Sequence, residues 1–295
     1  MIEKLSIVLF WMALILNIVS SLAYTGHVMA RVDRKIHTWT GIASAIGALV
    51  LLLVVLFIRV FTEGIEHSVG PFTIRVIFAA VIIGVFLLIE AIYAGKNPKV
   101  KTLGMFVLPF AAILQFLAWH VYGLTEQLTK QLQHYWVGIH VTFAVLAYSS
   151  MTMALGLAVV YLLQERELKN MGKKKPGKMF RKLPSLESAD HLCHTTIAFS
   201  FTFLTLVLAT GVLRAEMLPE WSQWYQDPKI LMAAATWVVY GSYLFVRATL
   251  GWQGKRANMF AIFGFVVAIV TYMIGNIGFI SSLLPSVHSY GKGLG

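Results

Sequence analysis

The side chains in this chain best suited to hold a metal are its nine histidines, because a single cysteine, Cys193, permits neither a disulfide nor a paired-thiol site. Two of the histidines, His140 and His288, flank an aromatic stretch, Pro219 to Lys229. That stretch carries Trp221, Trp224 and Tyr225 and closes on Asp227, Pro228 and Lys229. Neutral imidazole is a common iron ligand in haem proteins, and two imidazoles reaching one point from different segments would give a six-coordinate, low-spin centre. Indole and phenol rings are flat and apolar with one polar handle each, so they could lie against a porphyrin. Lys229, Arg75 and Arg214 could meet its carboxylates. Each feature also has a plainer reading. A lone histidine at a membrane edge is more commonly satisfied by water or a backbone carbonyl. Tryptophans form belts at membrane interfaces. Asp227 followed by Pro228 is a helix start in its own right, with Asp as cap and Pro at the first helical position.

The elements that must position these residues are membrane helices. The chain has 295 residues, 58% hydrophobic and only 13% charged, with a mean hydropathy of +0.74; a soluble domain carries roughly 25% charged residues. Eight apolar segments, about 5–25, 38–60, 72–94, 103–122, 136–163, 193–213, 230–249 and 258–280, are each long enough to span as helices. The expected fold is therefore all-α and polytopic, a single membrane domain over 1–295. The first segment is too long for a cleavable signal.

The loops sort by charge. Arg31, Arg34 and Lys35, then Lys96, Lys99 and Lys101, then the run from Arg166 to Lys182, then Lys255 and Arg256 fall in one set; the other set is poor in Lys and Arg. The positive-inside rule places the first set in the cytoplasm and both termini outside. His27, His37, His191 and His194 then fall near the cytoplasmic face, and His67, His120, His134, His140 and His288 near the outer one. The loop 164–190 is long and basic, suited to anionic lipid or to a cytoplasmic partner; Pro176, Gly177 and Pro184 argue against one continuous helix there. The loop 214–229 is the outer, tryptophan-rich one. Arg59, Arg75, Glu90 and Arg247 are the plausible charges within spans, all near helix ends where they can snorkel. Neither a proton pump nor a transporter with a charged midplane site is indicated, and no nucleic-acid partner is expected.

Five stretches, in this order, carry a resemblance. They are Trp136 to Tyr148, Phe201 to Thr205, the tryptophan-rich loop ending at Lys229, Trp237 to Arg247, and His288 to Gly291. The chain resembles the integral-membrane cytochrome c assembly proteins of the CcsA/CcmC type, HemX-like members included. The resemblance implies non-covalently bound haem b, with His140 and His288 as its outer axial ligands and Trp221, Trp224, Asp227, Pro228 and Lys229 in the haem-contacting segment. It implies a bacterial cytoplasmic membrane, a membrane partner of the CcsB/ResB type, an apocytochrome c as acceptor, and a place in a haem lyase. The alternative is a HemX-like, non-enzymatic protein that binds haem or regulates tetrapyrrole synthesis. The chain departs from the family pattern at Gln226 and Ile230 in the loop, at Gly70 to Arg75 before the third helix, and at Phe245, where a further histidine is frequent. The last change implies one haem per chain, not two.

Overall fold

Inside a bilayer a lone segment can satisfy its backbone polar groups only as a helix, and each apolar segment is one. The computed structural model describes residues 2–29, 35–64, 70–95, 97–122, 135–170, 180–216 and 224–274. The helices are α1 (Ile2–Met29), α2 (Lys35–Glu63), α3 (Pro71–Tyr93), α4 (Gly104–Trp119, entered through a 3-10 turn at Pro98–Leu103), α5 (Tyr135–Lys169), α6 (Leu186–Glu216), α7 (Pro228–Leu250) and α8 (Lys255–Met273). Among the described residues, eight helical segments are long and apolar enough to cross a membrane, and the chain is a multi-pass membrane protein.

Several helices outrun the apolar segments that announce them. α5 continues to Lys169, where Lys169 and Glu165 pair at 2.6 Å one turn apart. α6 starts at Leu186 because Ser185 caps it, its hydroxyl accepting from the Ser188 backbone N–H at 3.3 Å. Hydropathy finds the part of a helix that lipid requires; caps and charge pairs extend it into water. Residues 171–179 of the basic loop lie outside the described residues. Lys182, further along the same loop, donates its ammonium to the His27 carbonyl at the C-terminal end of α1, where the helix dipole favours a cation.

The chain forms two compact units, Met1–Leu128 with Val159–His191, and Thr129–Ala158 with Leu192–Gly295. In the first, α1 turns one seam inward: Ser6, Phe10, Ala13, Asn17, Ser20 and Tyr24 are all buried, at alternating steps of four and three that keep them on one stripe. Asn17 donates to the Gln115 side chain of α4 at 3.4 Å. Ser20 donates to the Gly41 carbonyl of α2 at 2.7 Å. Tyr24 donates to Glu90 of α3 at 2.5 Å.

The expectation that Arg75 and Glu90 snorkel is corrected by their burial, with only 6% and 5% of their surfaces exposed. Arg75 donates to the Pro71 carbonyl one turn back at 3.2 Å, and Glu90 is met by the Tyr24 hydroxyl. Glu90 stays inside because α1 supplies a partner that lipid does not. Arg59 lies over the rings of Phe72 and Tyr122, 5.0 and 5.8 Å from their centroids, a cation–π seat.

In the second unit α5 and α6 run antiparallel. Cys193 donates to the Ala154 carbonyl at 3.5 Å, and Ser200 to the Ala147 carbonyl at 3.1 Å. Each rung lies seven residues further along one helix and seven back along the other. One more such step reaches His140.

Candidate functional site

His140 stands in the second turn of α5, half-buried. Its Nδ1 lies 3.1 Å from the Thr210 hydroxyl oxygen on α6. That hydroxyl has one proton, and it donates to the Leu206 carbonyl at 2.7 Å, with the Val207 carbonyl at 3.1 Å. With that proton directed into its own helix, the Thr210 oxygen is oriented to accept from the imidazole, which would put the ring proton on Nδ1 and the lone pair on Nε2. Gly211 gives the ring its place: a Cβ there would stand 3.2 Å from Cε1 and 3.6 Å from Nδ1 of His140. This is the state a histidine adopts when it ligates a metal through Nε2 with its other nitrogen bonded outward.

α7 is fixed against α6 by two of the stretches singled out in the sequence. The Trp237 indole stacks on Phe201, with centroids 5.2 Å apart and planes at 27°, and donates to the Thr205 hydroxyl at 2.8 Å. With Thr205 beside Trp237 and the helices antiparallel, Thr210 is level with about Met232, roughly 5–8 Å in height from Lys229 and Asp227. Asp227 and Lys229 thus belong to the same end of this unit as His140.

Asp227 is the cap the sequence predicts: its carboxylate accepts from the backbone N–H of Lys229 at 2.9 Å and of Ile230 at 3.2 Å, and Pro228 takes the first helical position. Asp227→Ala should cost about 1 kcal/mol of stability, read as a lower melting temperature in detergent, whereas Asp227→Asn should leave the cap and the melt nearly unchanged. Trp224 and Tyr225 form a short 3-10 turn before it, their rings edge to face at 6.2 Å, and Tyr225 is exposed. Trp221 and His288 lie outside the described residues, as do His67 and His134. Arg75 belongs to the other unit, and Arg214 stands in the last turn of α6.

Phe245 leaves the buried stripe of α7, which is Thr236, Tyr240 and Tyr243, and is 67% exposed. The nearby hollow lined by Tyr243, Val246, Arg247, Trp252, Ala257 and Phe260 measures ≈ 10 Å³, room for about one water. Two other histidines have hydrogen-bond partners: His120 lies 3.1 Å from the Phe116 carbonyl of its own helix, and His27 lies 3.3 Å from Thr38. Cys193 is fully buried.

Thr210 and Gly211 are the site residues that sequence reading passed over. The one available signal is a glycine late in a long helix, which costs about 1 kcal/mol against alanine and so asks for a packing reason.

The family model described as Cytochrome C assembly protein matches residues 73–280. The chain is 26% identical to the Cytochrome c biogenesis protein CcsA of Guillardia theta, an alignment covering 97% of this chain and 92% of that one. It is 30% identical to the protein of the same name from Mesostigma viride, over 66% and 69% of the two chains, and 27% identical to that of Chlorella vulgaris, over 97% and 92%. No solved structure matches. A match over the greater part of the sequence, taking in α5 to α8 and the loop before α7, makes this chain a member of the cytochrome c assembly protein family.

Proposed function

We propose that this protein acts in cytochrome c biogenesis, holding one haem b non-covalently at the outer face of a bacterial cytoplasmic membrane and presenting it to apocytochrome c. The observation that carries the reading is the His140 ring, its Nδ1 3.1 Å from the Thr210 hydroxyl oxygen and its edge set against Gly211. A ring so held suits an axial position, and His288 is the second ligand in this reading. Trp221 and Trp224 would cover the porphyrin, and Lys229, held at the first turn of α7 by the Asp227 cap, would meet a propionate.

Bound haem supplies the iron and the vinyl carbons. The chain's own residues would do the rest: His140 and His288 would hold the haem in position, and the aromatic loop would shed water. Cys193 contributes no sulfur, since its buried thiol donates to the Ala154 carbonyl. The thiols are the acceptor's, and the protein's part in a lyase is proximity and orientation. A membrane partner of the CcsB/ResB type completes it, and the basic segment 164–190 meets anionic lipid or a cytoplasmic partner. The outward-facing Phe245 favours a second reading, a HemX-like regulator of tetrapyrrole synthesis with one haem. Cross-linking to a CxxCH-bearing apocytochrome supports the first reading, and its absence the second.

The test of haem binding is the absorption spectrum of the purified protein. A six-coordinate low-spin spectrum is expected, with at most one haem per chain by pyridine haemochrome. A preparation that takes up no haem overturns the reading, and a reproducible ratio near two overturns the single site. Topology is tested apart. Reporters fused at Lys174 should read cytoplasmic, and those at Glu126 or after Gly291 external. An external signal at Lys174 would invert the sidedness of every candidate ligand.

A further inference from the structure

We propose that Thr210 is the positioning residue for His140: it fixes the imidazole as the Nδ1–H tautomer, so that Nε2 is the nitrogen offered to a ligand, and Gly211 is the recess that sets the ring's angle. The consequence for haem rests on the reading above; the tautomer does not.

Three independent features of the structure converge on this assignment. The first is hydrogen-bond direction. The Thr210 proton is committed to its own helix at 2.7 Å, the usual back-bond of a helical threonine, so its oxygen faces His140 as a pure acceptor. The second is register. The rungs Cys193 to Ala154 and Ser200 to Ala147 hold α5 and α6 in a seven-residue repeat. A further step places His140 level with Val207, within one turn of Thr210, so the contact is set by the packed helix pair and not by a loop. The third is space. A Cβ at position 211 would press on Cε1, the ring atom between the two nitrogens, at 3.2 Å. Alanine there would require the ring to give by a few tenths of an ångström.

The chemistry follows from the ring's two nitrogens being unlike. An imidazole in water exchanges its proton between them. One locked by an outer acceptor presents a single lone pair in a single direction, and losing such an outer partner typically weakens metal affinity by about 10- to 100-fold. Threonine has the same shape as valine but for the hydroxyl, and serine keeps the hydroxyl without the methyl. The pair Thr210→Val and Thr210→Ser therefore separates the hydrogen bond from packing.

The experiment has two readouts. In haem-free protein carrying ¹⁵N-histidine, reconstituted in lipid, the His140 ring nitrogens are identified by their loss in His140→Gln. They should report Nδ1–H in the wild type and in Thr210→Ser, and a mixture or Nε2–H in Thr210→Val and Thr210→Ala. In haem-loaded protein, Thr210→Val should retain about 10- to 100-fold less low-spin haem, and Thr210→Ser should restore it. Gly211→Ala should disturb the setting of the ring and lower the low-spin haem, with the tautomer unchanged. An unchanged tautomer in both Thr210→Val and Thr210→Ala overturns the proposal whatever the haem does. So does equal haem loss in Thr210→Val and Thr210→Ser, which would mark a merely structural role. If the tautomer moves as expected but His140→Gly keeps an unaltered haem spectrum, Thr210 positions His140 as stated and it is the ligand reading that fails.

Discussion

Replacing either His140 or His288 by glycine is expected to strip the purified protein of most of its haem. The loss should exceed the roughly 10- to 100-fold that removal of a ligand's outer partner causes, because an iron–nitrogen bond is removed with it. Glycine leaves an opening the size of the deleted ring. Imidazole added to the medium should enter it and return part of both the haem and the low-spin spectrum, which a protein that had merely unfolded would not do. At position 140 the opening is bordered by Thr210 and Gly211, so the added imidazole meets the same acceptor. His67, His120 and His134 are the controls, being placed on the outer side by the charge pattern but outside the family's motifs. His134 is the serious rival at six residues' distance. Loss on His134→Gly with none on His140→Gly would move the ligand without removing the haem, and indifference of haem to both His140 and His288 would end the reading.

The second large effect belongs to the other unit. Gly104→Ala should destabilise the protein by about 2–5 kcal/mol, combining overpacking with the loss of one buried hydrogen bond. A Cβ at position 104 would stand 2.7 Å from Cγ and Cδ2 of Tyr24 and 2.9 Å from Cζ of Phe86. Neither ring can give way cheaply. Both are fully buried, they pack edge to face at 5.2 Å, and the Tyr24 hydroxyl is committed to Glu90 at 2.5 Å. Moving Tyr24 aside takes that hydrogen bond from a buried carboxyl. Gly84→Ala is the control, its nearest neighbour being Leu49 Cδ2 at 4.0 Å; there the better helix propensity of alanine should make the change neutral or mildly stabilising. Thermal melts in one detergent check both, and equal melts for the two variants would show that the close approach at Gly104 is without consequence.

The spans were legible because lipid demands apolar length, and the start of α7 because Asp227 and Pro228 carry their own local chemistry. The motif singles out His140 but says nothing of its seat, since Thr210 is brought to it only by the register of α5 on α6, and register depends on contacts far apart in sequence. Glu90 was misjudged for the same reason. A charge near a helix end reads as snorkelling until the Tyr24 hydroxyl, 66 residues from Glu90, is known to face it. The seam of α1 was visible in principle, as Ser6, Asn17, Ser20 and Tyr24 fall on one stripe. It is hidden by a helix apolar all round, where hydropathy alone cannot choose the inner face.

That seam bears on how the chain is made. In lipid no hydrophobic force draws helices together, and buried polar side chains do part of the joining. α1 lies ahead of the family-matched region, yet it is no detachable anchor: without it Gln115 and Glu90 would face acyl chains. Synthesis runs from the N-terminus, so Asn17 must wait in the bilayer while the 98 residues to Gln115 are added. During that interval the growing chain holds an amide in lipid with its final partner not yet translated.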